Sequence, residues 1–204
     1  MQQFVQGQDH MDNNGHKIAY RDTGSGETTI VLVSGGALGL ETWDSFQKQL
    51  SAYARVISYD RSGLGGSDYI PNSKNMEAMT AELDLIINQL DVNAPVILVG
   101  HSIGGNIVRK YTELFPEKVK ALFLIDAYHE LFYKELKSSV SEEMWNDYLS
   151  NWEHIKSQVS SGVADEISFI LELMKSDERY LIPSEIPVYL FTSVKEVEVT
   201  TQPI

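Results

Sequence analysis

Residues 100–104 read Gly100-His101-Ser102-Ile103-Gly104, a G-x-S-x-G pentapeptide. A serine hydroxyl stays protonated near neutral pH. It attacks a carbonyl only where a base takes its proton and donors hold the oxyanion that forms. The pentapeptide alone says little, because glycine and serine are common; its setting says more. The apolar run Val96-Ile97-Leu98-Val99 leads into it, and a helical pattern through Ile107, Tyr111 and Leu114 follows until Pro116 stops it. Strand, tight turn and helix is the arrangement that pushes a nucleophilic serine out at the end of a strand. Gly100 and Gly104 permit a turn too tight for side chains, and Gly105 lets the helix pack close. One oxyanion donor is then the backbone N–H of Ile103, directly after the nucleophile. The second is expected in the loop that follows Val31-Leu32-Val33, which reads Ser34-Gly35-Gly36-Ala37. Gly36 N–H is the assigned donor, with Ala37 the nearby alternative.

Elements of the right kind surround these residues. Short, β-branched or Leu-rich runs with little polar alternation occur at His16–Arg21, Ile30–Ser34, Val56–Asp60, Val96–Gly100, Ala121–Asp126 and Val188–Thr192. Buried parallel strands read this way. Between them, apolar residues step by three and four: Trp43, Phe46, Leu50, and then Met76, Met79, Leu83, Ile86, Leu90. Alternating strands and helices predict an α/β fold with a doubly wound, mostly parallel sheet. Residues 17–34 pass through the turn signal Asp22-Thr23-Gly24-Ser25-Gly26 and read as an antiparallel lead-in. The alternation stops from about Tyr128 to Ile182. There Ser141 is a plausible N-cap, followed by a stripe through Met144, Tyr148, Trp152, Ile155 and Val159 and a second through Ile167, Leu171 and Met174. The expected organisation is therefore a core over residues 1–127, a helical cap over 128–182 and a return to the core over 183–204.

Composition removes several function classes. The chain has 204 residues, 16 basic and 29 acidic, a net charge of −13. Binding phosphates needs clustered Lys and Arg, so nucleic acid and anionic membranes are not expected partners. With no cysteine there is no disulfide, thiolate metal site or cysteine nucleophile. No H-E-x-x-H cluster or P-loop occurs, and Gly63-Leu64-Gly65-Gly66-Ser67 does not open a helix as a dinucleotide site must. Neither metal nor cofactor is expected. No signal peptide or membrane-length apolar run is visible, so a cytoplasmic location is the default expectation.

Three further stretches make the chain resemble the α/β-hydrolase superfamily, in its esterase-like branch. Gly15-His16-Lys17-Ile18-Ala19-Tyr20 through Gly24 is similar to the family's opening motif. Asp60-Arg61-Ser62-Gly63-Leu64-Gly65-Gly66-Ser67 is similar to its D-x-x-G-x-G-x-S turn. Phe115-Pro116-Glu117-Lys118-Val119 up to Asp126 resembles the stretch after the nucleophile helix. One departure stands out: Ser34-Gly35 replaces the family's His-Gly. The resemblance implies a Ser–acid–His triad. Laid on Pro187–Glu196, the family's post-cap strand puts Glu196 in the acid's place, with Asp126, one strand earlier, as the alternative acid. The five histidines are His10, His16, His101, His129 and His154, and none follows the last strand, where the family's base lies. The expectation is a C-terminally incomplete hydrolase whose base, last strand and last helix lie beyond Ile204. An open apolar sheet edge would then favour self-association. Two functions stay open: a serine hydrolase cleaving an ester- or amide-type bond of a small, largely apolar molecule, and a non-catalytic small-molecule-binding protein on the same fold.

Overall fold

A computed structural model describes residues 7–92, 95–129, 131–176 and 179–193. In chain order the elements are β1 (Asp9–Asn13), β2 (His16–Thr23), β3 (Thr29–Val33), a 3₁₀ turn at Leu40–Trp43, α1 (Asp44–Leu50) and β4 (Arg55–Tyr59). Then come α2 (Met76–Gln89), β5 (Val96–His101), α3 (Ile103–Leu114), a 3₁₀ turn at Pro116–Lys118 and β6 (Val119–Ile125). The chain finishes with α4 (Phe132–Ser139), α5 (Glu142–Lys156), α6 (Ser161–Leu173) and β7 (Val188–Phe191).

The strands form one sheet in the order β1-β2-β4-β3-β5-β6-β7. β1 and β2 are antiparallel to their neighbours, and every pairing from β4 to β7 is parallel. β3 is central: the chain leaves it toward β4 on one side, and β5 pairs on the other, with Val33 opposite Gly100. The sheet winds in opposite directions from that point. The loops after β3 and β5 therefore diverge and leave a crevice between adjacent carboxyl ends. Side-chain alternation covers both faces. Val31, Val33 and Leu98 join the core under α2 and α3, whereas Leu32, Val56 and Val99 join a second cluster with Trp43.

All six strands expected from the sequence form, within one or two residues at most ends. β1 is an addition. Asp9–Asn13 contains one apolar residue, Met11, too few for an alternation signal. What makes the hairpin is Asn14-Gly15, whose φ values of 53° and 87° are those of a type I′ turn. α4 is also additional; only its Tyr133 is buried, so it lacks a long stripe. Ser141 caps α5 as expected, its side chain accepting from Met144 N–H at 3.2 Å. α5 ends at Lys156, so Val159 lies past the helix it was assigned to. At the other edge of the sheet β7 exposes all four of its residues, with Phe123 stacked on Tyr189 at 4.6 Å.

Candidate active site

Ser102 joins β5 to α3 with φ 51° and ψ −121°. A residue with a Cβ rarely occupies that region, and holding one there costs of order 1–3 kcal/mol. The surroundings enforce it. Ser102 N–H donates to the Ile125 carbonyl at 3.1 Å, and its own carbonyl accepts from Gly105 at 2.9 Å and Tyr128 at 3.1 Å. A Cβ on Gly100 would come within 2.6 Å of the Gly104 carbonyl, and one on Gly104 would strike the Val33 carbonyl. The glycines of the pentapeptide thus let β5, α3 and β3 close on one another, and the strain falls on the serine. Ile103, the first residue of α3, has no intrahelical acceptor for its N–H.

The loop after β3 lies beside this turn. Gly36, Ala37, Ser102, Ile103 and Tyr128 form the floor of a cavity of about 500 Å³. Helices α5 and α6 close it, with Trp152 and Ile155 from the first and Val163, Ile167 and Ile170 from the second, among others. Among the described residues no charged side chain lines it; the polar groups on its lining side chains are the hydroxyls of Ser102 and Tyr128 and the indole of Trp152. The aromatic and aliphatic stripes of the cap helices therefore serve the cavity as well as the cap's own packing. Ala37 has φ 57°, and its N–H donates to Glu166 Oε1 at 3.0 Å. Of the two N–H groups weighed from sequence, that of Ala37 is engaged by Glu166. Ser34, where the family has histidine, is buried, donates to the Gly39 carbonyl at 3.0 Å and accepts from Trp43 Nε1 at 2.8 Å.

The acid and base candidates fare differently. Asp126 follows β6 with φ 41°, is exposed, and accepts from Ser193 N–H at 2.6 Å, tying the carboxyl ends of β6 and β7. Glu196 lies outside the described residues. None of the five histidines reaches Ser102 Oγ, which makes no hydrogen bond among the described residues. His101 turns to the opposite side of the turn, edge-on to Trp43 with centroids 6.4 Å apart. Its buried Nδ1 has no hydrogen-bond partner among the described residues. His129 Nδ1 accepts from Leu131 N–H at 3.1 Å, and His154 pairs with Gln158 at 3.0 Å on the surface of α5. His10 and His16 face each other's strands at the far edge. Among the described residues no group of three or more His, Asp or Glu could hold a metal ion, and no helix is long and apolar enough to cross a membrane.

Sequence reasoning missed a buried ionic cluster beneath the cavity. Glu166 of α6 is fully buried and meets Arg61 Nη2 at 2.5 Å and Lys74 Nζ at 2.7 Å. Arg61, 2% exposed, also donates from Nε to Glu166 Oε2 at 3.3 Å, and from Nη1 and Nη2 to the carbonyls of Ser34 and Gly35, both at 2.7 Å. Burial pushes the Glu166 carboxyl up, but the Arg61 guanidinium and Lys74 ammonium outweigh it and hold it at about 2. Glu82, buried on α2 and accepting from Ser62 N–H at 3.2 Å, goes the other way: burial raises it to about 7. One signal was available. Glu166 sits between Val163, Ile167 and Ile170 on a helix face that is otherwise apolar. A carboxylate there requires a buried partner.

With the fold and this geometry in hand, the class is plain: a doubly wound α/β sheet with a strained serine at a strand-to-helix turn. Residues 28–180 match the family model described as the alpha/beta hydrolase fold, and the chain belongs to that family. It is 35% identical over 114 residues to the 2-hydroxy-6-oxononadienedioate/2-hydroxy-6-oxononatrienedioate hydrolase of Escherichia coli O139:H28, covering 53% of this chain and 39% of that protein. The chain thus spans about two fifths of the length of the curated relatives it matches. Among solved structures it is similar to a probable hydrolytic enzyme from Pseudomonas aeruginosa PAO1, with TM-score 0.69 and 18% identity over 91% of this chain and 72% of the other. A thermophilic esterase from Thermogutta terrifontis has TM-score 0.63 and 20% identity over 91% and 79%. These two likenesses are of fold.

Proposed function

We propose that the chain carries the nucleophile, oxyanion hole and cap of a serine hydrolase that cleaves an ester- or amide-type bond of a small, largely apolar molecule. The observation that carries this reading is Ser102 held in a glycine-like conformation at the floor of an apolar cavity. In it the base takes the proton of Ser102 as its Oγ attacks the carbonyl, the N–H groups of Ile103 and Gly36 hold the oxyanion, the C–O or C–N bond breaks as the alcohol or amine leaves with that proton, and water hydrolyses the acyl-enzyme to free the acid and Ser102. Glu196 or Asp126 would orient the base. The base, like Glu196, has no place among the described residues. The E. coli relative is named for a dioate; here the described lining of the cavity offers no cation to a carboxylate, which supports an uncharged substrate.

A second reading, a non-catalytic binder using the same cavity, is favoured by the separation of every histidine from Ser102. A fluorophosphonate probe distinguishes the two. Covalent labelling that vanishes in Ser102→Ala supports the hydrolase. A folded protein that binds an uncharged medium-chain ester but is never labelled supports the binder. Tighter binding of a dicarboxylate than of the ester would overturn the assignment of an apolar substrate.

A further inference from the structure

We propose that Glu166 is a positioning residue through which the cap sets the direction of the Gly36 oxyanion donor. The proposal rests on the hydrolase reading and extends it to a residue outside the reacting groups.

The loop 34–37 is held at three backbone points by a single ion pair. Arg61 takes the carbonyls of Ser34 and Gly35, each at 2.7 Å. Glu166 Oε1 takes the N–H of Ala37 at 3.0 Å and Arg61 Nη2 at 2.5 Å. In a trans peptide the C=O and the following N–H point to opposite sides. With the Gly35 carbonyl drawn to Arg61, the Gly36 N–H is directed away from Arg61. Gly36 lines the cavity with Ser102 and Ile103 on that side. The Glu166–Ala37 bond also holds Ala37 at φ 57°, a conformation that alanine does not adopt without an external hold.

The element that supplies Glu166 is itself fastened to the core. Gly162, on the first turn of α6, lies against Gly63, so closely that a Cβ there would come within 2.7 Å of the Gly63 Cα. Asp165 accepts from Tyr69 Oη at 2.5 Å. Lys74 adds a second cation on Glu166 Oε2 at 2.7 Å. These contacts fix the height of α6 over the sheet, and Glu166 transmits that height to the loop. A buried ion pair is weak evidence for stability, because desolvation offsets most of its attraction. Here its geometric role is the better account: each of its groups ends on the backbone of the oxyanion loop or on a partner that holds it there.

The test compares wild type with Glu166→Gln, the charge-conserving Glu166→Asp and, as a docking control on the same helix, Asp165→Asn. Two readouts are used: hydrogen exchange of the Ala37 amide, and the concentration dependence of labelling by an uncharged fluorophosphonate. The expected result is faster Ala37 exchange by at least about tenfold in both Glu166 variants, with β5 amides still protected. Their limiting labelling rate falls about tenfold or more while the half-saturating probe concentration stays put. Asp165→Asn keeps a side-chain oxygen that accepts from Tyr69 Oη, so α6 stays seated and neither readout should change. Unchanged Ala37 exchange in whichever Glu166 variant folds overturns the proposal. So does an equal loss of labelling in Asp165→Asn, which would make Glu166 a docking contact only. If wild type itself is never labelled, the hydrolase reading fails separately, and Ala37 exchange still decides whether Glu166 holds the loop.

Discussion

Replacing Ser102 by glycine should make the protein more stable while removing the hydroxyl proposed as nucleophile. The backbone at 102 sits at φ 51°, ψ −121°, a region open to glycine and costly for anything with a Cβ. Relief of that strain is worth of order 1–3 kcal/mol. Glycine gives back roughly 0.5–1 kcal/mol through the entropy of the unfolded chain. Ser102 Oγ makes no hydrogen bond among the described residues, so its removal leaves no partner unsatisfied. The net expectation is a gain of about 1 kcal/mol, or about 2–4 °C in Tm for a chain of this size. Ser102→Ala keeps the Cβ and therefore the strain, and should lie within about 0.5 kcal/mol of wild type. The assay is paired urea and thermal denaturation of the three proteins. If glycine is no more stable than alanine at this position, the strain is not there, and the argument that the fold forces Ser102 into the nucleophile conformation falls with it.

Glu82 provides a pH signature. Its folded-state value of about 7 lies above the ordinary 4.5, so between these values the native state holds a proton that the unfolded state has lost. Stability should therefore fall as pH rises from about 4.5 to 7, by at most about 3 kcal/mol. Glu82→Gln should flatten that slope and be the more stable protein at pH 8; identical pH–stability curves would contradict it. Glu166 acts in another window. Its lowered value adds stability present above pH 4.5 that is lost as pH falls toward 2. Gly162→Ala sets helix propensity against packing. Propensity alone would add about 1 kcal/mol, but the new Cβ meets Gly63 backbone, which cannot yield as a side-chain tip would. We expect net destabilisation of about 1–2 kcal/mol, read as a lower Tm, with weaker fluorophosphonate labelling; a higher Tm would show that α6 is not seated on the Gly63 turn.

Much of the architecture is local in origin and was legible in the sequence. The buried strands announce themselves as apolar runs, and the amphipathic helices by three-and-four spacing. The elbow is a covalent pattern in which Gly100, Ser102 and Gly104 sit within five residues. Ile103 opens the helix directly after the serine, which leaves its N–H without an intrahelical acceptor. β1 and α4 were not legible, because their residues are mostly polar and exposed, and their stability comes from neighbours.

The tertiary structure decided what depends on residues far apart in the chain. The sequence names Gly36 as donor and Ala37 as its alternative but offers no partner for either; Glu166, 129 positions later, takes the Ala37 N–H. Arg61 reads as part of a turn motif and is in fact the clamp on Ser34 and Gly35. Asp126 is tied to Ser193, and His101, next to the serine in sequence, is turned away from it by the same tight turn that presents Ser102. Adjacency along the chain sets where backbone N–H groups fall. Which side chain satisfies a given N–H depends on how distant elements pack, and no single segment of this sequence contains that information.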